Sequence, residues 1–449
     1  MKKIKAIGFD MDYTIVRYQS AEFEGFTHGQ VLKKLVIEKN YPKQIEDLKF
    51  EFERVIQGLI IDKKRGFLLK VSRFGKVKSC MFGLEMLTFK EQQKIYGNRI
   101  IDLNDEWVQS LDTSFSISNG ILFAQLVELK KQGVELPDYR ILADDIKEIL
   151  DLAHSDGTLK NEVRRDFDRY IIKDPQIAEA LERLKSYGKK LLVITNSDYN
   201  YTKLLLDNTL TPFLKEHKCW SELFDIVITL SSKPRFFTQL GHFLEIDPIT
   251  GQMSNMTGKI EKGIFQGGHA GKLQKDLGLE GDEILYLGDH IYGDVVSIKK
   301  TFNWRTALVL EPIHEEVMAL TTGKPIQQKI DRLMKEKEEL EAELNFLDLQ
   351  KNEQNKKPER DKINHLFIEI EKINGEISLA LNKHRELFNP YWGEMMRAGY
   401  EESRFADQVE KYACIYMARV SDLLNYSPKT YFRPHKRVLP HEVLIDQDS

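Results

Sequence analysis

Apolar positions along the chain fall first into short, nearly unbroken runs. Ile4-Lys5-Ala6-Ile7-Gly8-Phe9 opens the sequence, and LLVIT (191–195), DIVITL (225–230), EILYLG (283–288) and RTALVLE (305–311) repeat its character. Runs of four to eight mostly apolar residues, bounded by Gly or polar residues, read as strands buried on both faces. Each has helical sequence nearby. AEALERLKSYG (178–188) precedes residue 191, and its Gly188 stands where a helix C-cap belongs. Strands alternating with helices predict an α/β fold with a Rossmann-like parallel sheet covered on both faces.

Between the first run and residue 191 the pattern changes. Residues 20–165 mix helical patterns with polar segments and hold no strong run of the parallel-strand kind; GFLLKVSRFGKVKS (66–79) reads as a hairpin turning at Gly75. From residue 326 the apolar positions step by threes and fours: Ile326, Ile330, Leu333, Leu340, Leu344 and Leu347, then, after the polar stretch QKNEQNKKPERD (350–361), Ile363, Leu366, Ile370, Ile373 and Ile377. That spacing predicts two antiparallel helices with a coiled-coil-like seam. FADQVEKYACIYMARVSDLL (405–424) reads as one amphipathic helix. The expected organisation is a first core strand with its loop (1–19), an inserted cap (20–165), the rest of the core (166–325), a helical hairpin (326–385) and a C-terminal helical segment packing on the core (386–449).

Composition narrows the classes. With 449 residues and 41% hydrophobic content there is ample chain for a large core. The 66 basic residues against 70 acidic ones give a net charge of −4, so no electrostatic case exists for nucleic acid or an anionic membrane as main partner. Cys80, Cys219 and Cys414 stand far apart with no CxxC, which fits a reducing compartment. No apolar run approaches a membrane span, and residues 1–15 lack a signal-peptide pattern. The cytoplasm is the expected location.

Candidate chemistry gathers at the strand ends. Asp10 and Asp12 follow the first run, Thr195 and Asn196 end the second, Lys233 follows the third, and Asp289 and Asp294 follow the fourth. In a parallel sheet the carboxyl ends of the strands share one edge, where ligands bind. Four carboxylates, a hydroxyl, an amide and a lysine suit phosphoryl transfer through a carboxylate nucleophile. Carboxylates so placed repel one another, which calls for a hard cation such as Mg²⁺. A second Asp two residues on could protonate the leaving oxygen and then activate water. Each residue also has a plainer reading: Thr195 and Asp294 as helix caps, Lys233 before Pro234 as a surface lysine.

Taken in order, Asp10-Met11-Asp12-Tyr13-Thr14, Thr195-Asn196, Lys233 and Gly288-Asp289-His290-x-x-Gly293-Asp294 resemble the four motifs of the haloacid-dehalogenase-like hydrolases, on their phosphatase branch. FDMDYT, TNSDYNYT, KPRFF and YLGDHIYGD are similar to the cytosolic purine 5'-nucleotidases, which act on IMP and GMP, and the similarity extends from residue 4 to VLPHE (438–442). The resemblance implies Asp10 as nucleophile and Asp12 as general acid/base. It implies Mg²⁺ on the Asp10 carboxylate, the Asp12 backbone carbonyl and Asp289, with Asp294 orienting the metal shell or Lys233. Thr195, Asn196 and Lys233 would bind phosphate.

The base-binding residues implied are Phe115, Lys147, Asp151, His154 and Lys160. Phe115 would stack on the purine, and Asp151 would accept N1–H of a 6-oxopurine, a donor adenine lacks. The chain departs from the family pattern at Lys147, where an arginine is usual, and at Ser155, where a tyrosine is usual. Plainer readings stand here too: Phe115 as core, Asp151 as a helix-surface partner of Lys147. A homo-oligomer, dimer or tetramer, is also implied. The alternatives are a phosphatase acting on another phosphomonoester, or a non-catalytic nucleotide-binding scaffold. A P-loop NTPase is disfavoured because GxxxxGK[ST] is absent.

Overall fold

The structure is a computed structural model that describes residues 1–354, 360–434 and 442. Of the motif VLPHE only Glu442 lies among them. The core is a nine-stranded sheet, seven strands of which run parallel. In chain order these are β1 (Ala6–Phe9), β2 (Lys190–Ile194), β3 (Ile226–Thr229), β4 (Gly263–Gly267), β5 (Ile284–Gly288), β6 (Arg305–Val309) and β7 (Ile415–Met417). Their spatial order is β4-β3-β2-β1-β5-β6-β7, and Phe243–Ile246 and Met253–Asn255 extend the β4 edge in antiparallel fashion.

The five apolar runs form five of these strands, for the reason the pattern suggests. Every residue of β1, β3 and β5 is buried, so each run covers both faces of a central strand. Ala6 pairs with Lys190 on one side and Ile284 on the other. The helix before β2 runs Pro175–Ser186, with Asp174 accepting from the Gln176 N–H and Pro at its first turn. Gly188 follows at φ 77°, the left-handed conformation that ends the helix.

Within residues 20–165 lies a second core, though the helix Thr158–Arg165 packs instead into the core of the parallel sheet through Leu159 and Val163. An antiparallel sheet of five strands, Leu59–Asp62, Phe67–Val71, Val77–Phe82, Glu85–Met86 and Val108–Leu111, packs with helices Ser20–Lys39, Ile117–Lys131 and Tyr139–Ser155. The hairpin turning at Gly75 is present, with φ 77° at that glycine. Arg17–Tyr18 pairs with Ile171–Ile172, so the chain leaves the parallel sheet and returns to it at adjacent points.

Helices Ile313–Gln354 and Arg360–Arg385 pack against each other through Ile330, Leu333, Leu347, Leu366, Ile370 and Ile377. The first begins earlier than its apolar stepping indicates and runs through Pro325. The single helix expected over 405–424 is not formed. The helix Arg404–Tyr412 stops, Ile415–Met417 becomes strand β7, and Val420–Asn425 is a 3₁₀ turn. The reason is tertiary: without β7 the outer edge of β6 would leave its backbone groups unpaired, and the Cys414 N–H donates to Thr306 O as Ile415 pairs with Ala307.

The segment after the helical hairpin straps the two layers together. Lys70, on the cap sheet, donates to the carbonyls of Trp392 (2.5 Å) and Glu394. Glu316, buried on the long helix, accepts from the Met395 and Met396 N–H groups at 2.5 and 3.2 Å. Replacing Glu316 with Ala leaves two backbone donors without their acceptor. We expect a loss of about 2–4 kcal/mol, read as a lower thermal midpoint. A midpoint equal to wild type would show that the strap holds without this carboxylate.

Candidate active site

β1 ends at Phe9, and the chain turns at once. The Asp10 N–H donates to Leu287 O on β5, and the N–H groups of Thr14, Ile15 and Val16 all donate to Met11 O. Tyr13 sits at φ 53° inside this tight loop. The turn leaves the Asp10 carboxylate at the carboxyl end of the sheet, one oxygen accepting from the Met11 N–H at 2.7 Å.

Residues distant in sequence meet there. Lys233 Nζ lies 2.7 Å from Asp10 Oδ2, 2.8 Å from Asp294 Oδ1 and 3.0 Å from the Tyr286 hydroxyl. Asp294 also accepts from the His290 N–H, so it is bonded on both oxygens. A Cβ at residue 288 would stand 2.4 Å from the Asp294 carboxyl group, which is why glycine precedes Asp289. Asn196 holds the lysine loop: its Oδ1 accepts from Lys233 N at 2.6 Å and its Nδ2 donates to Lys233 O at 3.2 Å. Thr195 is buried, with its hydroxyl accepting from the Ser197 N–H.

Asp10, Asp289 and Asp294 bring carboxylate oxygens within 4.8 Å of one another. Burial, reinforced by Asp294 and opposed by Lys233, pushes the Asp10 carboxyl up to about 7. Burial, then Asp10, raises Asp289 well above the usual carboxylate range. Burial works to lower Lys233, but the Asp10 and Asp294 carboxylates hold its ammonium above its ordinary value. Asp289 Oδ2 is buried with no hydrogen-bond partner. Three crowded carboxylates around one ammonium, with an orphaned oxygen among them, fit a hard divalent cation such as Mg²⁺.

Asp12 is held differently. Its Oδ1 accepts from the Tyr18 hydroxyl at 2.6 Å and its Oδ2 from the Ser197 hydroxyl at 2.8 Å. Burial raises its carboxyl above the ordinary value, and these two hydrogen bonds pull the other way.

The cavity above this cluster has a volume of about 960 Å³. Asp10, Asp12, Thr195, Asn196, Lys233, Asp289 and Asp294 line it, and so do Phe115, Lys147, Asp151, His154 and Lys160 from the inserted layer. The structure thus brings every sequence-derived site residue to one cavity. Phe115 lies edge-on to Tyr13 at 4.5 Å and to His154 at 5.2 Å, so the cap aromatics touch the Asp10 loop directly. His154 Nε2 is buried without a partner, and burial lowers the imidazole to about 4, so it is neutral at neutral pH. Burial raises Asp151 while Lys147 opposes, yet no direct ion pair joins the two. The Lys160 ammonium meets Asp198 at 2.7 Å.

Sequence reasoning passed over several residues that share this site. Ser197 directly follows the Thr195-Asn196 pair, a position that could have flagged it. Tyr18 and Tyr286 gave no signal, because only the packed chain aims their hydroxyls. Asn119, with a buried and unpartnered Oδ1, and Asp112, pushed up to about 6 by burial, also line the cavity.

A parallel sheet whose strand ends gather carboxylates and a lysine at one edge has its candidate catalytic groups where open α/β sheets bind ligands. The model of the 5' nucleotidase family matches residues 1–444, and the chain belongs to that family. Among curated relatives, the 5'-nucleotidase domain-containing protein DDB_G0275467 of Dictyostelium discoideum is 26% identical, over 99% of this chain and 74% of its own. The 5'-nucleotidase domain-containing protein 2 of Rattus norvegicus is 24% identical, over 100% of this chain and 79% of its own. Similar solved structures include a predicted phosphoglycolate phosphatase from Haemophilus somnus, with TM-score 0.31, 15% identity, and 69% of this chain and 86% of that one covered. A HAD phosphatase from Thermococcus onnurineus has TM-score 0.28 and 16% identity, over 69% of this chain and 87% of that one. Among the described residues, no helix is long and apolar enough to cross a membrane.

Proposed function

We propose that this phosphomonoester hydrolase removes the phosphate from purine nucleoside 5'-monophosphates, IMP and GMP foremost, through an aspartyl-phosphate on Asp10. The observation that carries this reading is the single cavity with Asp10, Lys233, Asp289 and Asp294 at its catalytic end and Phe115, Asp151 and His154 on its cap.

An Asp10 oxygen attacks phosphorus as the bond from phosphorus to O5′ breaks. Asp12 gives its proton to O5′, and the nucleoside leaves. Water then attacks the same phosphorus, Asp12 takes the water proton, and the Asp10–phosphate bond breaks. Lys233 neutralises phosphate oxygens, and Thr195 and the backbone beside Asn196 complete the clamp. Asp10, Asp289, Asp294 and the Asp12 carbonyl would hold Mg²⁺, which supplies Lewis-acid stabilisation of the charge on phosphate when bound. A nucleoside hydroxyl in place of water would give phosphotransfer as a side activity.

On the cap, the Phe115 ring offers a stacking surface, and the neutral His154 supplies a hydrogen bond rather than a charge. Asp151 facing N1–H favours a 6-oxopurine; facing adenine N1 it would oppose two acceptors, at a cost of about 1–3 kcal/mol. Lys147 adds positive charge around the nucleotide, and Lys160 lines the cavity while paired with Asp198. Three unpaired cysteines fit action in the cytoplasm. The exposed apolar side chains Phe346, Phe367 and Ile368 on the helical hairpin fit a homo-oligomer.

The test is phosphate release from IMP, GMP, AMP, CMP, UMP and ribose 5-phosphate. We expect release from IMP and GMP at least about tenfold above AMP, the equivalent of about 1.4 kcal/mol. Phe115→Ala should raise KM for IMP by about tenfold or more, from lost stacking of about 1–3 kcal/mol. Equal rates on all six esters would remove the base site and leave a phosphatase of broader range.

A further inference from the structure

Asp12 is the one carboxylate of the site whose two oxygens are both held by side-chain hydroxyls. Tyr18 is buried beside it, and its hydroxyl, 2.6 Å from Asp12 Oδ1, lies 3.1 Å from the Tyr201 hydroxyl. A phenol has one proton. With Tyr18 donating to the carboxylate, Tyr201 must donate to Tyr18, so the two hydroxyls form a directed chain ending on Asp12. Ser197 closes the other side at 2.8 Å.

The three residues come from three places. Tyr18 lies in the short ladder where the chain leaves the core, paired with Ile171. Ser197 follows β2, and Tyr201 lies in the first turn of the helix Tyr199–Thr209, whose N-cap Asp198 accepts from the Tyr201 N–H. Asp198 is also the residue that pairs with Lys160, and the Lys160 ammonium stands 5.4 Å from the Tyr201 ring centroid. The hydroxyl chain therefore starts on the helix whose N-cap pairs with Lys160 and ends on Asp12.

We propose that Tyr18, backed by Tyr201 and opposed by Ser197, is a positioning residue that fixes the Asp12 carboxyl group for both of its proton transfers. The inference rests on the Asp10–Asp12 reading above. Turning the carboxyl about its own bond would break the Tyr18 and Ser197 bonds together. Without them, a group that must first meet O5′ and then a water is free to rotate, and positioning is where general acid–base catalysis draws its strength. Tyr18 touches neither phosphate nor the reacting oxygens in this account and acts through Asp12.

The experiment compares wild type, Tyr18→Phe and Ser197→Ala on two esters: IMP, whose alkoxide needs a proton to leave, and 4-nitrophenyl phosphate, whose phenoxide does not. Tyr18→Phe should lower kcat on IMP by about tenfold, part of the 10²–10⁴-fold a placed acid/base contributes, with KM unchanged. On 4-nitrophenyl phosphate, the first turnover should keep its wild-type rate, because no acid is needed. Later turnovers should slow, because water still needs its base. Ser197→Ala should do the same through the other oxygen, and the two losses should combine to less than their product. Two results overturn the proposal: Tyr18→Phe within twofold of wild type on IMP, or the first turnover of 4-nitrophenyl phosphate slowed as much as IMP. A wild-type enzyme that forms no phospho-enzyme while still hydrolysing IMP overturns the aspartyl-phosphate reading itself, and this inference with it.

Discussion

Asp10→Asn should abolish phosphate release from IMP, lowering kcat by at least about 10⁴-fold, while the thermal midpoint stays near that of wild type. Asp10 is the nucleophile of the proposed mechanism, and an amide cannot form the acyl phosphate. The fold should survive the change. Lys233 keeps Asp294 at 2.8 Å and the Tyr286 hydroxyl at 3.0 Å, so no ammonium is left buried alone. The variant also removes one charge from a cluster whose members raise one another's proton affinity. Phosphate release and a thermal melt on the same sample decide the matter. Activity within tenfold of wild type would move the nucleophile elsewhere; a large drop in the midpoint would mean that the carboxylate is structural.

The second large effect is on metal. EDTA should stop hydrolysis, and excess Mg²⁺ should restore it. Mg²⁺ should also raise the thermal midpoint of the wild-type protein without substrate, since a ligand that binds only the folded state stabilises it by mass action. Asp289→Asn should raise the Mg²⁺ concentration for half-maximal activity by at least about tenfold, because even the loss of an outer-shell partner costs about 10–100-fold in metal affinity. It should also erase most of the Mg²⁺-dependent rise in midpoint. The expectation comes from the buried, unpartnered Asp289 Oδ2 beside two other carboxylates. A midpoint and an activity both indifferent to EDTA and Mg²⁺ would sink it.

The two halves of the molecule differ in how openly they are written in the chain. The five core runs are legible because a strand buried on both faces is apolar along most of its length. Of the cap strands, the hairpin turning at Gly75 is legible and the others are not. Val108–Leu111 is only partly buried and carries Gln109 and Ser110, so it has no distinctive pattern before its neighbours pair with it. The segment 405–424 misleads for the opposite reason: its apolar spacing suits a helix throughout, yet Ile415–Met417 completes the sheet beside β6.

The site divides along the same line. The sequence by itself determined the chemical inventory: Asp10 and Asp12 after one strand, Thr195 and Asn196 after another, Lys233, then Asp289 and Asp294. Those positions are local facts, a polar residue following an apolar run, and local facts survive in a linear text. Only the tertiary structure decided that Lys233 bridges Asp10 and Asp294, that Asp289 keeps an unpartnered oxygen, and that Tyr18 and Ser197 grip Asp12. Ser197 lies 185 residues from Asp12 in sequence, and hydrogen bonds form only where packing brings donor and acceptor within about 3 Å. Spacing along the chain carries no such information, because a sheet that places β1 between β2 and β5 sets those distances after the chain has folded.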